Sequence, residues 1–174
     1  MKKVQVGDPA PDFTWAAHSG EQVRLSDFRN QQVVVLFFYP KDGRAICTKE
    51  ACAFRDAYDQ FAEAGAVVMG VSRDSAERHN AFSNRHNLPF SLLSDTDGSL
   101  RTAFGVPQTL GLLLGRVTYV IDKEGVVRLV FSAPTQSKTS RPLAVSAPRH
   151  TKSSRASRRE ARRGSAQNST SSDD

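Results

Sequence analysis

The segment from residue 33 to residue 52 reads VVVLFFYPKDGRAICTKEAC. Its first seven residues are β-branched, aliphatic or aromatic, which is typical of a strand buried on both faces of a sheet. Pro40 and Gly43 interrupt this run, and the residues after them favour a helix. The segment therefore predicts a buried strand, a loop and a helix, with Cys47 in or near the first helical turn. Unpaired backbone N–H groups and the helix dipole at that turn favour a thiolate.

Cys47 and Cys52 are the only cysteines of the chain. A thiolate is the reactive form of cysteine, so a redox site is the leading interpretation, with Cys47 as the nucleophile and Cys52 as its resolving partner. Two buried structural thiols are one alternative, and a general disulfide oxidoreductase, which favours a Cys-x-x-Cys spacing, is another. The histidines do not lie at a finger-like spacing from the pair, so we expect neither a metal nor another cofactor.

Helix geometry constrains the chemistry of this pair. Five residues along a regular helix separate the two Cα atoms by ~9 Å, whereas a disulfide needs less than ~7 Å. If both cysteines are helical in the reduced protein, oxidation must unwind the turn that carries Cys47.

Several segments, taken in order, resemble the peroxiredoxin Q or bacterioferritin comigratory protein family. These segments are Val6–Phe13, Phe37–Asp42, Cys47–Cys52, Gly70–Ser75 and Gly115–Asp122. The resemblance extends from Val4 to Phe131, and the stretch 104–115 is most similar to the cyanobacterial and chloroplast branch.

This resemblance implies a thiol-dependent peroxidase that reduces hydrogen peroxide and organic hydroperoxides. It makes Cys47 the peroxidatic thiolate and Cys52 the resolving cysteine with which it forms a disulfide. Arg116 matches the arginine that stabilises the thiolate and the peroxide in this family. Pro40 and Tyr39, at the end of the predicted strand, would border the substrate pocket. A thioredoxin-type dithiol is the implied reductant of the disulfide.

One position of the active-site loop departs from the family pattern. The family carries Thr or Ser four residues after the proline, and that position, which we also assign to the substrate pocket, is Arg44 here. A guanidinium donates hydrogen bonds but cannot accept them, so it cannot replace a hydroxyl that does both. Ala45 and Ile46 likewise replace a Pro-Gly pair of the family. These substitutions bear against efficient turnover, while the fold and the thiol reactivity are expected to persist.

Short apolar runs rich in β-branched residues alternate with longer periodic segments. The predicted strands are Thr14–Ala16, Val23–Leu25, Val33–Tyr39, Val67–Ser72, Val117–Ile121 and Val126–Phe131, and the predicted helices are Thr48–Glu63, Ser75–His86 and Ser99–Phe104. This order favours an α/β fold with a mixed central sheet, flanking helices and an N-terminal hairpin. The resemblance implies the same thioredoxin-like arrangement. On the second helix, His79 and His86 lie seven residues apart, and we expect both to be solvated or to cap the helix.

Charge divides the chain into two regions. Residues 1–136 carry 15 basic and 15 acidic residues, whereas residues 137–174 carry 9 and 3, so the formal net charge of +6 lies in the second region. That region has no aromatic residue and is rich in Ser, Arg, Ala and Thr, a composition that predicts disorder. We therefore expect a peroxiredoxin domain over 1–136 and a basic tail over 137–174. The tail replaces the usual C-terminal helix, and a shifted reading frame near Ala133 is our hypothesis for its origin.

A second class of function remains open beside the enzyme. The chain could be a thioredoxin-fold protein with impaired peroxidase activity, whose basic tail binds a polyanion such as nucleic acid in a salt-sensitive, sequence-independent way. Neither a secretory signal nor an apolar stretch of about 18 residues is seen, so we expect no membrane partner. We predict a cytoplasmic monomer, with the plastid stroma as the alternative compartment.

Overall fold

Strands and helices alternate along the chain. The computed structural model describes residues 3–109 and 113–133. In chain order its elements are β1 (Thr14–Ala16), β2 (Gln22–Arg24), a 3-10 helix (Leu25–Phe28), β3 (Val33–Phe38), α1 (Ala45–Asp56), α2 (Tyr58–Glu63), β4 (Ala66–Ser72), α3 (Ala76–His86), β5 (Ser91–Ser94), α4 (Ser99–Ala103), β6 (Gln108–Thr109), β7 (Leu113–Leu114), β8 (Arg116–Ile121) and β9 (Val127–Ala133).

Strand β3 lies at the centre of the main sheet. Among the described residues this sheet has five strands in the order β5-β4-β3-β8-β9. β3 pairs in parallel with β4 and antiparallel with β8, and β4 pairs in parallel with β5. β1 and β2 form a separate antiparallel hairpin. The predicted α/β class, mixed central sheet and N-terminal hairpin are therefore confirmed.

Both faces of the sheet are covered, as the continuous apolar run of β3 predicts. Val34, Leu36 and Phe38 belong to one buried cluster, which includes α4 and the N-terminal segment. Val35 and Phe37 belong to a second cluster on the opposite face, together with residues of α1, α2 and α3. The alternation of side chains along β3 thus fills two cores, and it places α1 against the second one.

Some boundaries differ from the sequence predictions. The single helix predicted over Thr48–Glu63 is divided at Ala57, whose φ of −100° and ψ of 5° separate α1 from α2. Strand β5 was not predicted, because its two apolar residues are too few to give a clear alternation. The helices predicted at Ser75–His86 and Ser99–Phe104 are present as α3 and α4.

Part of the sequence lies outside this description. Residues 110–112 and the predicted basic tail at 137–174 are not among the described residues. The boundary at residue 136 and the polyanion-binding alternative therefore remain predictions. Within 3–109 and 113–133, none of the helices has the length and hydropathy needed to cross a membrane.

Candidate active site

Helix α1 begins at Ala45, directly after the loop that follows β3, and carries both cysteines. Cys47 is its third residue and is only 1% exposed, packed in the second core cluster. Cys52 lies five residues later and is half-buried, and both thiols are free. Both cysteines are therefore helical in the reduced protein, so the unwinding predicted from helix geometry applies to this chain.

Arg116 provides the cation at the thiol. It is the first residue of β8, the strand next to β3, and the pairing of Phe38 with Val117 brings it to the end of β3 where the loop begins. Its Nη2 donates to Cys47 Sγ at 3.0 Å. The sulfur and the guanidinium are both buried. A charged donor at this distance stabilises a thiolate over a thiol.

Glu50 shares the guanidinium of Arg116 and was not identified from the sequence. Arg116 Nη1 donates to Glu50 Oε2 at 3.0 Å. Burial raises the pKa of the Glu50 carboxyl above its usual range, and the neighbouring Arg116 partly offsets this rise. Its position three residues after Cys47 could have indicated that it lies near the thiol, because residues i and i+3 lie on the same helix face.

Arg101 connects the two backbone segments that lead into the site. Its side chain is fully buried. Nη2 donates to the carbonyl of Tyr39 at 2.9 Å, and Nη1 donates to the carbonyl of Gly115 at 2.8 Å. Desolvation lowers the pKa of Arg101 to about 10, well below its ordinary value. Tyr39 precedes Pro40 and Gly115 precedes Arg116, so one cation holds both segments in place.

The structure places the predicted pocket residues at different depths. Tyr39 is 1% exposed and belongs to the same core cluster as Cys47, but its hydroxyl donates to Asp42 at 2.7 Å. Pro40 is half-buried in the loop. Arg44 is exposed, precedes α1, and within the described residues its side chain makes no capping hydrogen bond to the helix.

A surface pocket of about 390 Å³ adjoins the loop on the side of α3. Its lining residues are Pro40, Lys41, Arg73, Asp74, Ser75 and Arg78. Neither Cys47 nor Arg116 is part of its wall, so the thiol does not open into this pocket. Within the described part of the chain, no group of three or more His, Cys, Asp or Glu side chains converges as a metal site would require.

The expectation for His79 was wrong. The side chain is fully buried instead of solvated, and Nδ1 donates to Asp42 Oδ2 at 2.7 Å. Helix α3 is polar overall, so its sequence does not indicate which face is turned inward at this position. His86 is partly exposed and packs its ring against Phe82.

Comparisons with known proteins agree with this geometry. The model of the AhpC/TSA family matches residues 6–130. Peroxiredoxin Q, chloroplastic, from Sedum lineare is 51% identical over 131 residues, which cover 75% of this chain and 70% of that protein. The protein of the same name from Arabidopsis thaliana is 48% identical over 131 residues, which cover 75% of this chain and 60% of the relative.

Solved structures give the same result. Peroxidoxin BcpB from Mycobacterium tuberculosis superposes with a TM-score of 0.69 at 39% identity, over 74% of this chain and 86% of that one. A Xanthomonas campestris bacterioferritin comigratory protein, described for its alkyl peroxide reduction activity, gives a TM-score of 0.67 at 30% identity, over 74% and 85%. The chain therefore belongs to the AhpC/TSA family and, within it, to the peroxiredoxin Q group of thiol-dependent peroxidases.

Proposed function

We propose that Cys47 is the peroxidatic residue of this chain, Cys52 its resolving partner and Arg116 the residue that stabilises the thiolate. The observation that carries the proposal is the 3.0 Å contact between Arg116 Nη2 and the buried Sγ at the start of α1. Helix start and guanidinium both favour negative charge on this sulfur. The second thiol, that of Cys52, is half-buried and lies on the same helix, where it can attack an oxidised Cys47 sulfur.

The first step is the attack of the Cys47 thiolate on the terminal oxygen of a hydroperoxide. The S–O bond forms as the O–O bond breaks, and the alkoxide or hydroxide that leaves takes up a proton to become an alcohol or water. Cys47 is thereby oxidised to a sulfenic acid. Arg116 lies close enough to the sulfur to stabilise the charge that moves from sulfur to the leaving oxygen.

The second step joins the two cysteines. The Cys52 thiolate attacks the sulfenic sulfur, the S–S bond forms as the S–O bond breaks, and the departing hydroxide takes up a proton to become water. On an intact helix the Cα atoms would be ~9 Å apart, beyond the ~7 Å limit of a disulfide, so the turn that carries Cys47 must unwind. A thioredoxin-type dithiol would then reduce the disulfide by thiol exchange and restore both thiols.

The comparisons support the substrate class and the compartment. The alkyl peroxide reduction activity named for the Xanthomonas campestris protein supports organic hydroperoxides as substrates beside hydrogen peroxide. The plant relatives are named chloroplastic, which supports the plastid stroma, the second of the two compartments considered, as the setting of this chain.

The roles of the two cysteines can be tested separately. Cys47→Ser should abolish peroxide consumption, because it removes the nucleophile. Cys52→Ser should consume about one equivalent of peroxide and then stop at the sulfenic acid. The measurements are stopped-flow peroxide consumption and mass-spectrometric mapping of a disulfide between the two positions in the unmodified chain. Equal residual turnover in the two variants would contradict the assignment.

A further inference from the structure

A buried pair lies beneath the active-site loop. His79, on α3, is fully buried, and its Nδ1 donates to Asp42 Oδ2 at 2.7 Å. The Tyr39 hydroxyl donates to the other carboxylate oxygen, also at 2.7 Å. Asp42 is itself 8% exposed, so these hydrogen bonds are shielded from water and are correspondingly strong.

The backbone of the loop is held at the same residue. The N–H of Asp42 donates to Asp74 Oδ2 at 2.7 Å. Asp74 also accepts from the Ser72 hydroxyl at 2.9 Å and pairs with Arg78 at 3.0 Å. The side chain of Asp42 is therefore bound to α3 and to Tyr39, and its backbone is bound to Asp74, between β4 and α3.

The residues between Asp42 and Cys47 have fewer restraints. Gly43 has a φ of +76°, which glycine adopts without strain. Arg44 is exposed and does not cap α1 through its side chain, and Ile46 is 56% exposed. Within the described residues, Asp42 is thus the last position with buried hydrogen bonds before the helix turn that must unwind.

His79 is suited to this contact and to little else. Its Nε2 is buried and has no hydrogen-bond partner among the described residues. Burying a nitrogen without a partner is unfavourable, and an apolar side chain would fill the same volume without that cost. The hydrogen bond from Nδ1 to Asp42 is the interaction that compensates for it.

We propose that Asp42 and His79 form a positioning pair that fixes the upstream end of α1 and sets how readily the turn carrying Cys47 unwinds. The pair does not touch the reacting sulfur and acts through the loop. The inference rests on the proposed function in one respect, since unwinding matters for turnover only if Cys47 and Cys52 form a disulfide.

Breaking the pair should change the two chemical steps in opposite directions. With Asp42 released, the helix start opens more often, and the contact between Cys47 and Arg116 is made for a smaller fraction of the time. The reaction with peroxide should slow, while condensation with Cys52 should accelerate. Loss of one charge-assisted hydrogen bond corresponds to roughly a tenfold change in the opening equilibrium.

The test compares three variants with the unmodified protein. His79→Leu removes the donor, His79→Asn keeps an N–H near the position of Nδ1, and His86→Gln is the matched control on the same helix. The Thr48 N–H donates to the carbonyl of Arg44 at 2.8 Å, and the next three amides pair with carbonyls of the turn that carries Cys47. Hydrogen exchange of the amides at 48–51 therefore reports opening without any need for peroxide. We expect exchange there to rise roughly tenfold in His79→Leu, and to stay near the original rate in His79→Asn and His86→Gln. Stopped-flow oxidation should show a slower first phase and a faster second phase in His79→Leu alone.

The outcomes separate the proposals. Unchanged exchange at 48–51 in a folded His79→Leu protein would overturn the positioning role. An equal rise across β4 and all of α3 would overturn it too, because it would indicate an effect on packing only. If His79→Leu does not fold, Asp42→Asn provides the same measurement, because it weakens the pair from the loop side and keeps the side-chain shape. A missing disulfide in the unmodified chain would refute the proposed function and leave the exchange result valid.

Discussion

Arg101→Met tests whether the buried guanidinium positions the active site. Methionine has a similar length and no N–H groups, so the substitution removes the hydrogen bonds to the carbonyls of Tyr39 and Gly115 with little change in volume. The buried hydrogen bond to Tyr39 and the part-buried one to Gly115 would both be lost. The loop beginning at Pro40 and the strand beginning at Arg116 would lose a common restraint.

The expected effect on stability is modest because two contributions oppose each other. The buried Tyr39 carbonyl that loses its donor costs ~1–3 kcal/mol, and the part-buried Gly115 carbonyl costs less. Burial lowers the pKa of Arg101 to about 10, well below its ordinary value, and at ~1.4 kcal/mol per pKa unit this is a net cost of ~3 kcal/mol for the charged guanidinium that methionine avoids. We therefore expect the free energy of unfolding to fall by only ~1–2 kcal/mol, which lowers the Tm by ~5 °C.

The expected effect on chemistry is larger. A shift of about 1 Å in the reacting groups can reduce a rate by ~100-fold, so we expect the second-order rate constant for oxidation of Cys47 to fall ~10- to 100-fold. This rate constant is measured by stopped-flow oxidation at a temperature well below the Tm of the variant. Arg55→Met is the matched control, since Arg55 also donates to a backbone carbonyl, that of His86, at 2.9 Å. A lower Tm with an unchanged rate constant in Arg101→Met would refute the positioning argument.

Further substitutions test the groups around the sulfur. Arg116→Met should slow alkylation of Cys47 by iodoacetamide at neutral pH at least ~tenfold, because the thiolate loses a charged donor; an unchanged rate would show that the contact is not functional. Glu50→Gln should show its effect in urea unfolding between pH 4 and pH 7. Because burial raises the Glu50 pKa, the native carboxyl favours its proton, and the stability of the unmodified protein relative to the variant should fall as pH rises from the unfolded value of 4.5 through the raised pKa. A difference that grows with pH would contradict this sign. Arg44→Thr should raise the rate constant for peroxide several-fold, measured by stopped flow, and an equal or faster rate in the Arg44 protein would show that the hydroxyl is not needed.

The sequence predicts the parts of this molecule that local pattern determines. The apolar run of β3, the loop at Pro40 and the start of α1 follow from propensity and periodicity, and Cys47 lies where that pattern predicts. Arg116 could be assigned only by resemblance, because its contact with Cys47 depends on the pairing of β8 with β3. The burial of Arg101 and His79 was not predicted, since a polar residue in a polar helix gives no sign that it is buried. Their partners, which are two backbone carbonyls for Arg101 and the side chain of a loop residue for His79, are distant in sequence and are defined only by the fold.

The helix start connects the missing hydroxyl with the buried pair. Arg44 occupies the N-cap position of α1, and its side chain accepts no hydrogen bond from the helix. A Thr or Ser at this position could accept a hydrogen bond from a backbone N–H of the first turn, which would stabilise that turn by ~1 kcal/mol. In this chain the turn is therefore held upstream by Asp42 with His79 and downstream by Arg116, without a side-chain cap between them. Arg44→Thr should accordingly have two separable effects, a faster reaction with peroxide from the new hydroxyl and a disulfide step slowed roughly fivefold by the new cap. A faster first step with an unchanged second step would show that the hydroxyl acts on the peroxide alone and that the cap does not control unwinding.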